Sequence, residues 1–344
     1  MKKSLSRFFI VKENGVLHTA YSKEDALREV QDGGYCWFDY CEPTKDDLTP
    51  LIDLLGIHPL TIEDSLNEDQ LPKLDLFPNY SFMIMGIFEM GEEELLAHEL
   101  DLIIGSNFII SIAGRNQAGQ PLLRLIDKSI KREQDKISQG PAFLLHLLID
   151  QVVDQKFNAL EKIEDRMDDY EASILDSTPD FNPADLMDAR RNLMTIRKNV
   201  FHERELLLKI IRRDSPFVSD KAVVYFRDVY DHLSKYYEIA DSARDLVTSL
   251  MEIHLSMINN RMSQTSNRTN AIMRRLTLIT TIFMPLSLLS GIGGMSEFTL
   301  IFGQNNVKLA YLGLFLFMAL VAGGNWWLLK RMEKQIPAQD LDED

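Results

Sequence analysis

Cysteine and positive charge are both scarce in this chain of 344 residues. The two cysteines, Cys36 and Cys41, are too few for a disulfide framework or a four-thiolate zinc site. Lys and Arg total 37 against 52 Asp and Glu, which gives a net charge of −15. Binding to nucleic acid needs a basic face, so we expect no nucleic-acid partner and regard cations as the natural partners.

Glycine is absent from residues 141–290, whereas ten glycines precede this segment and seven follow it. The glycine-containing first part predicts a mixed α/β domain, with strands at 81–89, 100–105 and 107–113 and short helices at 51–55 and 60–66. The glycine-free part predicts helices at 141–178 and 184–213. Residues 217–284 also lack proline, which predicts one continuous helix of about 100 Å without a break until Pro285.

Charge is missing from residues 276–296 and again from residues 309–329. Each run would form a helix of about 31 Å, which matches the hydrocarbon core of a bilayer. Basic residues cluster on one side of the pair: Arg261, Arg268, Arg274, Arg275, Lys330, Arg331 and Lys334, whereas the connection at 297–308 has one base, Lys308. This asymmetry predicts a multi-pass protein of the cell inner membrane with both termini in the cytoplasm. Two buried helices of a soluble domain are the alternative.

These patterns together predict an α+β cytoplasmic domain, a long helical stalk and two transmembrane helices. The predicted boundaries are a cytoplasmic α/β domain at 1–140, a helical stalk domain at 141–275, a first transmembrane helix at 276–296, an outer loop at 297–308, a second transmembrane helix at 309–329 and a cytoplasmic tail at 330–344. Ten acids against three bases occupy residues 150–180 of the stalk. Each acid is expected on a solvated face, although collectively such a surface concentrates divalent cations.

Small polar residues recur at alternating steps of three and four along the long helix, where a coiled coil would place Leu, Ile or Val. Within and just before the first apolar run these positions are Asn270, Met273, Thr277, Thr280, Met284, Ser287, Gly291 and Gly294. Small residues permit close helix packing in lipid, which is one explanation. The other is a water-filled axis surrounded by several copies, with Met273, Met284 and the adjacent Leu276 as apolar constrictions.

Enzyme motifs are lacking: the chain has no GxGxxG, P-loop, GxSxG or HExxH. The seven histidines show no ligand spacing along the sequence and are expected to be structural. We therefore expect no enzyme activity and no cofactor.

Three passages resemble the CorA family of divalent-cation channels, in the order that the family has them. They are HPLTIED at 58–64 with Leu66, Asn67, Pro72 and Lys73 after it, YFRDVYDH at 225–232, and residues 270–295 with FMPL and GIGGM. The resemblance implies a homopentamer with a funnel-shaped cytoplasmic domain. It also implies that the first transmembrane helix lines a pore at Asn270, Met273, Leu276, Met284, Ser287 and Gly291, and that Asp64 and Asp228, with Glu63 close by, bind a regulatory metal ion between subunits.

The outer-mouth signature of the family is Gly-Met-Asn, but this chain has Gly294, Met295 and Ser296, followed by Glu297. Serine is shorter and offers a hydroxyl in place of an amide. The family resemblance still implies uptake of Mg²⁺, and we expect Co²⁺ or Ni²⁺ as further ions, with uptake driven by the membrane potential and gated by cytoplasmic metal. An importer of zinc or another transition metal is the first alternative, and a membrane-anchored metal sensor that conducts nothing is the second.

Overall fold

The computed structural model describes residues 6–12, 16–30, 34–67, 70–91, 94–176, 181–295, 297 and 306–333. The chain forms two compact units, Met1–His254 and Leu255–Asp344. Ser296, most of the expected outer loop and residues 334–344 of the expected tail lie outside the described residues.

The first unit is built on a seven-stranded mixed sheet. Its strands are β1 (Arg7–Val11), β2 (Leu17–Thr19), β3 (Tyr35–Cys41), β4 (Lys73–Leu76), β5 (Tyr80–Met90), β6 (Leu95–Gly105) and β7 (Phe108–Ala113). Their order is β2-β1-β3-β7-β6-β5-β4, and β3 and β7 form the parallel pair. Because β3 and β7 are buried along their whole length, they are mostly apolar in sequence, and their buried polar side chains, Asp39 and Ser111, are hydrogen-bonded to each other.

Four short helices lie between these strands: α1 (Lys23–Val30), α2 (Lys45–Leu48), α3 (Pro50–Leu55) and α4 (Pro59–Asp64). A 3₁₀ segment at Leu122–Ile126 and the helices α5 (Asp127–Arg132) and α6 (Gln134–Ile137) follow β7. Apolar residues of α1 to α4 share one core cluster with the sheet. Both cysteines are buried and free, and burial raises the pKa of the Cys36 thiol to about 12.

Two long helices, α7 (Pro141–Leu175) and α8 (Pro183–Ile211), complete the first unit together with the first part of α9 (Asp220–Gly293). A buried ion pair ties them to the sheet: Lys156 of α7 and Glu203 of α8 lie 3.2 Å apart, and both contact the backbone of Gly86 in β5. α7 thus packs on the sheet, and the compact unit continues past the boundary predicted at residue 140 to His254.

The second unit contains the end of α9 and the helix α10 (Val307–Glu333). Both are long and apolar enough to cross a membrane. α9 continues without a break through Pro285, the first proline after residue 217, and ends at Gly293. Membrane helices tolerate an internal proline when a neighbouring helix supplies the missing hydrogen bond.

Candidate ion pathway and metal site

The polar stripe of α9 lies on the side of the helix that the chain leaves uncovered. The least exposed residues beyond residue 276 are Leu278, Ile282, Pro285, Leu286, Leu289 and Gly293, which fall within an arc of about 100° at 3.6 residues per turn. The stripe positions are all exposed: Asn270, Met273, Thr277, Thr280, Met284, Ser287 and Gly291. Around the helix axis, the middle of the stripe lies roughly 160–200° from the middle of the less exposed arc. Leu276 is also exposed, at the edge of the stripe.

The opposite face of α9 packs on α10. Gly293 is buried, and the Cδ2 atom of Leu314 occupies the space that a Cβ on Gly293 would need. A bulky side chain at this position would therefore push the two helices apart. Because α10 covers this face, the stripe has no partner within the described part of the chain. Met284 is 77% exposed, which is far above what a buried packing residue shows.

The hydroxyls of the stripe are turned into their own helix. Thr277 donates to the carbonyl of Met273 at 2.9 Å, and Thr280 lies 3.0 Å from the carbonyls of Leu276 and Thr277. A hydroxyl that donates inward keeps its oxygen lone pairs as acceptors on the outer side. Such acceptors match the water molecules around a cation, because those waters present their hydrogens outward.

The residues of the expected outer mouth follow the end of α9. The N–H of Gly294 donates to the carbonyl of Ser290 at 3.0 Å, and the N–H of Met295 donates to that of Ile292 at 3.2 Å. Gly294, Met295 and Glu297 are exposed. Ser296 lies outside the described residues, so its role in the mouth stays a prediction.

The short helix α4 carries Glu63 and Asp64, and Tyr80 of β5 holds this helix in place. The Tyr80 hydroxyl accepts from the N–H of His58 at 3.0 Å and lies 2.7 Å from the hydroxyl of Thr61. Pro59 at the first helical position and the His58 cap fix where the helix begins. Glu63 is consequently exposed, and Asp64 is half-buried at the end of the helix.

Asp64 has a cationic partner within the chain. Its carboxylate lies 2.6 Å from the ammonium of Lys73, which also contacts Asp75 at 3.2 Å. Asp228 is exposed on α9, and no hydrogen bond or ion pair of the described residues joins it to Asp64. The single chain thus leaves Glu63 and Asp228 open to solvent.

A different group of ligand-type side chains comes together between α7 and α9. Ligand atoms of Asp150, Asp154 and His232 lie within 4.8 Å of one another. Burial raises the pKa of Asp150 and of Asp154, and the negative charge of Asp150 adds to the effect on Asp154. The Nδ1 atom of His232 is buried without a hydrogen-bond partner among the described residues. Two carboxylates and an imidazole are a donor set that suits first-row transition metals better than Mg²⁺.

Comparison with known proteins identifies the family. The family model described as CorA-like Mg2+ transporter protein matches residues 32–331. This chain belongs to that family. It is 34% identical to the cobalt/magnesium transport protein CorA of Thermotoga maritima over 247 residues, which are 71% of this chain and 68% of that protein. It is 32% identical to YfjQ of Bacillus subtilis over 268 residues, or 78% and 80% of the two chains.

The fold agrees with this assignment. The complete CorA structure from Methanocaldococcus jannaschii superimposes with a TM-score of 0.69 at 21% identity, and the match covers 96% of this chain and 99% of that one. Members of the CorA-like family are membrane transporters and not enzymes, which confirms the expectation drawn from the missing catalytic motifs.

The sequence analysis did not find the group of Asp150, Asp154 and His232. The two aspartates are four residues apart and therefore share one face of α7, which was a usable signal. His232 is far away in sequence, and only the packing of α9 on α7 brings its ring to that face.

Proposed function

We propose that this CorA-like chain forms a homopentameric, funnel-shaped channel of the cell inner membrane that takes up Mg²⁺, with Co²⁺ and Ni²⁺ as further ions. The observation that carries this proposal is the polar stripe of α9, exposed on the side opposite α10. Polar groups in a bilayer are costly unless they meet partners or water. Copies arranged around an axis give all stripe residues a common wet surface, while both termini remain in the cytoplasm.

A membrane potential is sufficient to drive such uptake. Each elementary charge gains about 2.3 kcal/mol per 100 mV, so a dication gains roughly 4.6 kcal/mol when it moves inward. Mg²⁺ loses its waters reluctantly. The outward-facing acceptor oxygens of Thr277 and Thr280 offer hydrogen-bond partners to those waters and thus let a hydrated ion pass.

Regulation by cytoplasmic metal would use one half-buried carboxylate, Asp64, and two exposed ones, Glu63 and Asp228. Asp64 and Asp228 of neighbouring copies, with Glu63 close by, would be bridged by a divalent ion and would repel one another without it. A state that binds the ion more tightly is favoured as the ion accumulates, which closes the channel. The group of Asp150, Asp154 and His232 supplies a second place for metal, and its imidazole favours Co²⁺ or Ni²⁺ there.

Thiol accessibility tests the pathway directly. Cysteines placed at Thr277, Thr280 and Ser287 should react with a small aqueous thiol reagent, whereas cysteines at Leu278 and Ile282 on the α10 face should not. Equal modification on both faces would contradict a wet axis and favour close packing in lipid. The native Cys36 and Cys41 are buried and serve as the internal background.

Measurements of ion flux distinguish the proposed Mg²⁺ channel from the transition-metal importer and from the non-conducting sensor. Purified protein in liposomes, under an imposed inward-negative potential, should admit Mg²⁺, Co²⁺ and Ni²⁺. Uptake of Zn²⁺ alone would favour the transition-metal importer, for which the imidazole of His232 is the supporting observation. Metal binding without any flux would favour the non-conducting sensor.

A further inference from the structure

Pro285 leaves one carbonyl of α9 without its usual donor. Proline has no N–H, so the helical hydrogen bond to the carbonyl of Thr281, four residues earlier, cannot form. The Nδ2 atom of Asn325 in α10 donates to this same carbonyl, at 3.4 Å. Asn325 is the only amide side chain in residues 309–329. A polar residue in an apolar helix is costly unless it has such a partner, so its place opposite Pro285 has a physical reason.

The end of α9 is held by α10 in a similar way. The last carbonyls of a helix lack donors from the next turn. The hydroxyl of Tyr311 donates to the carbonyl of Gly293, the final residue of α9, at 3.1 Å. The missing side chain of Gly293 makes room for Leu314 beside this contact. Tyr311, Leu314 and Asn325 project within an arc of roughly 60° on α10, so one face provides both attachments.

We infer that Tyr311 and Asn325 are positioning residues for the ion pathway, each holding a backbone carbonyl of α9 in place. Each held carbonyl adjoins a residue of the proposed pathway, since Thr281 follows Thr280 and Gly293 precedes Gly294. This inference rests on the proposed function. Neither side chain touches the ion. They act through α9, where discrimination by a ring of carbonyls depends on how firmly its backbone is placed.

Tyr311→Phe removes only the hydroxyl and tests the outer attachment. The ratio of Mg²⁺ to Ni²⁺ uptake should change by about two- to tenfold, the range that loss of one hydrogen bond produces. The amount of folded protein should not change. If the variant loses folded protein but keeps the parent ratio, Tyr311 merely holds the helices together and the inference is overturned. Gly313→Ala, a substitution into open space on the same helix, is the matched control.

Gly293→Ala tests the same contact between α9 and α10 by changing α9. Its new methyl group meets Leu314, so the end of α9 should shift and the ion ratio should change. Leu314→Ala in the same chain removes the obstacle and should restore the parent ratio. Failure of this rescue would mean that the packing of Gly293 on α10 does not position the mouth.

Pro285→Ala gives the sharpest test of Asn325. Alanine supplies the missing N–H, so the carbonyl of Thr281 no longer needs a donor from α10. Asn325→Leu should alter Mg²⁺ flux in the parent chain by several-fold and have little effect in the Pro285→Ala background. Equal effects in both backgrounds would refute the assignment, because the role of Asn325 would then not involve that carbonyl.

A readout that needs no conduction separates this inference from the proposed function. Met295→Cys should react with a membrane-impermeant thiol reagent at rates that differ several-fold between the parent and Tyr311→Phe. If the parent shows no flux but these rates differ, the proposed function fails and the positioning role stands. Identical rates refute the positioning role even in a protein that conducts.

Discussion

The two compact units differ in whether their side chains find packing and hydrogen-bond partners within the chain. In the first unit even charged groups find partners inside the chain, as Lys156 and Glu203 do with no exposed surface. In the second unit Gly293 is the only buried residue among those that the structure describes. The first unit thus has its own core, whereas the apolar surfaces of α9 and α10 in the second unit suit a lipid environment. Exposure therefore has to be judged against the solvent of each unit.

Breaking the buried ion pair should have the largest effect on the first unit. Lys156→Met leaves the carboxylate of Glu203 buried without its cation, which costs about 3–5 kcal/mol of unfolding free energy. Burial already raises the pKa of Glu203 and lowers that of Lys156, against the attraction between them. Denaturant unfolding of the full chain in detergent, followed by Trp37 fluorescence after Trp326 and Trp327 are changed to Phe, measures the loss.

The matched control for this pair is an exposed one. Arg191 and Asp188 lie 3.3 Å apart on α8 with more than half of each side chain exposed, so Arg191→Ala should leave stability unchanged. Glu203→Gln added to Lys156→Met should recover part of the loss, because no unpaired charge then remains. A double variant as unstable as Lys156→Met alone would contradict this account.

Acid should weaken the first unit through His146. Burial, with Lys136 nearby, lowers the pKa of His146 to about 4, from an ordinary value of 6.5 in the unfolded chain. Between these values the unfolded chain binds a proton that the folded chain does not. The stability contribution is therefore complete above pH 6.5 and is lost as the pH falls toward 4, by about 3 kcal/mol.

His146→Leu should flatten this part of the stability profile between pH 6.5 and 4. The measurement is the same fluorescence-detected unfolding, repeated at several pH values. His202→Leu on α8 is the control, which should keep the parent profile. Parallel profiles for the parent and His146→Leu would show that another group causes the acid sensitivity.

Removal of the imidazole should weaken metal binding in the first unit more for some ions than for others. In His232→Leu, the concentration of Co²⁺ or Ni²⁺ that protects the unit from proteolysis should rise by at least about tenfold. The concentration of Mg²⁺ needed should rise less, because Mg²⁺ prefers oxygen ligands. An equal rise for all three ions would mean that His232 supports the fold and does not bind the ion.

The sequence predicted the elements of this fold better than their assembly. The strands β5 to β7 and the helices α7 and α8 appear within a few residues of their expected positions, because alternation and helical periodicity are local signals. The compact unit that continues to His254 could not be predicted, since the packing of Lys156 on Gly86 is a contact between distant residues. The continuity of α9 past Pro285 could not be predicted from local signals either, because the donor to the carbonyl of Thr281 is Asn325 of another helix.

The same difference between local and long-range information applies to the candidate site. The stripe on α9 was readable because all its members lie on one helix with a fixed period. The motif predicted that Asp64 lies on a short helix, but it did not predict the ion pair between Asp64 and Lys73. The group around His232 could not be predicted either, because only the folded chain brings its residues together. Periodicity finds sites within one element, and sites built by two or more elements need the structure.

The smallest expected effect concerns the competition between Lys73 and a metal ion for Asp64. The ammonium of Lys73 lies 2.6 Å from Asp64 and 3.2 Å from Asp75, so it is shared between two carboxylates. Lys73→Met removes the competing cation and should lower the Mg²⁺ concentration that closes the channel, by at most about fivefold, since the pair is one-third exposed. Asp75→Asn commits Lys73 to Asp64 and should raise that concentration. Inhibition of flux by internal Mg²⁺ in liposomes measures both variants. Shifts in the same direction, or no shift in either, would contradict the competition, because only a shared ammonium gives the two variants opposite signs.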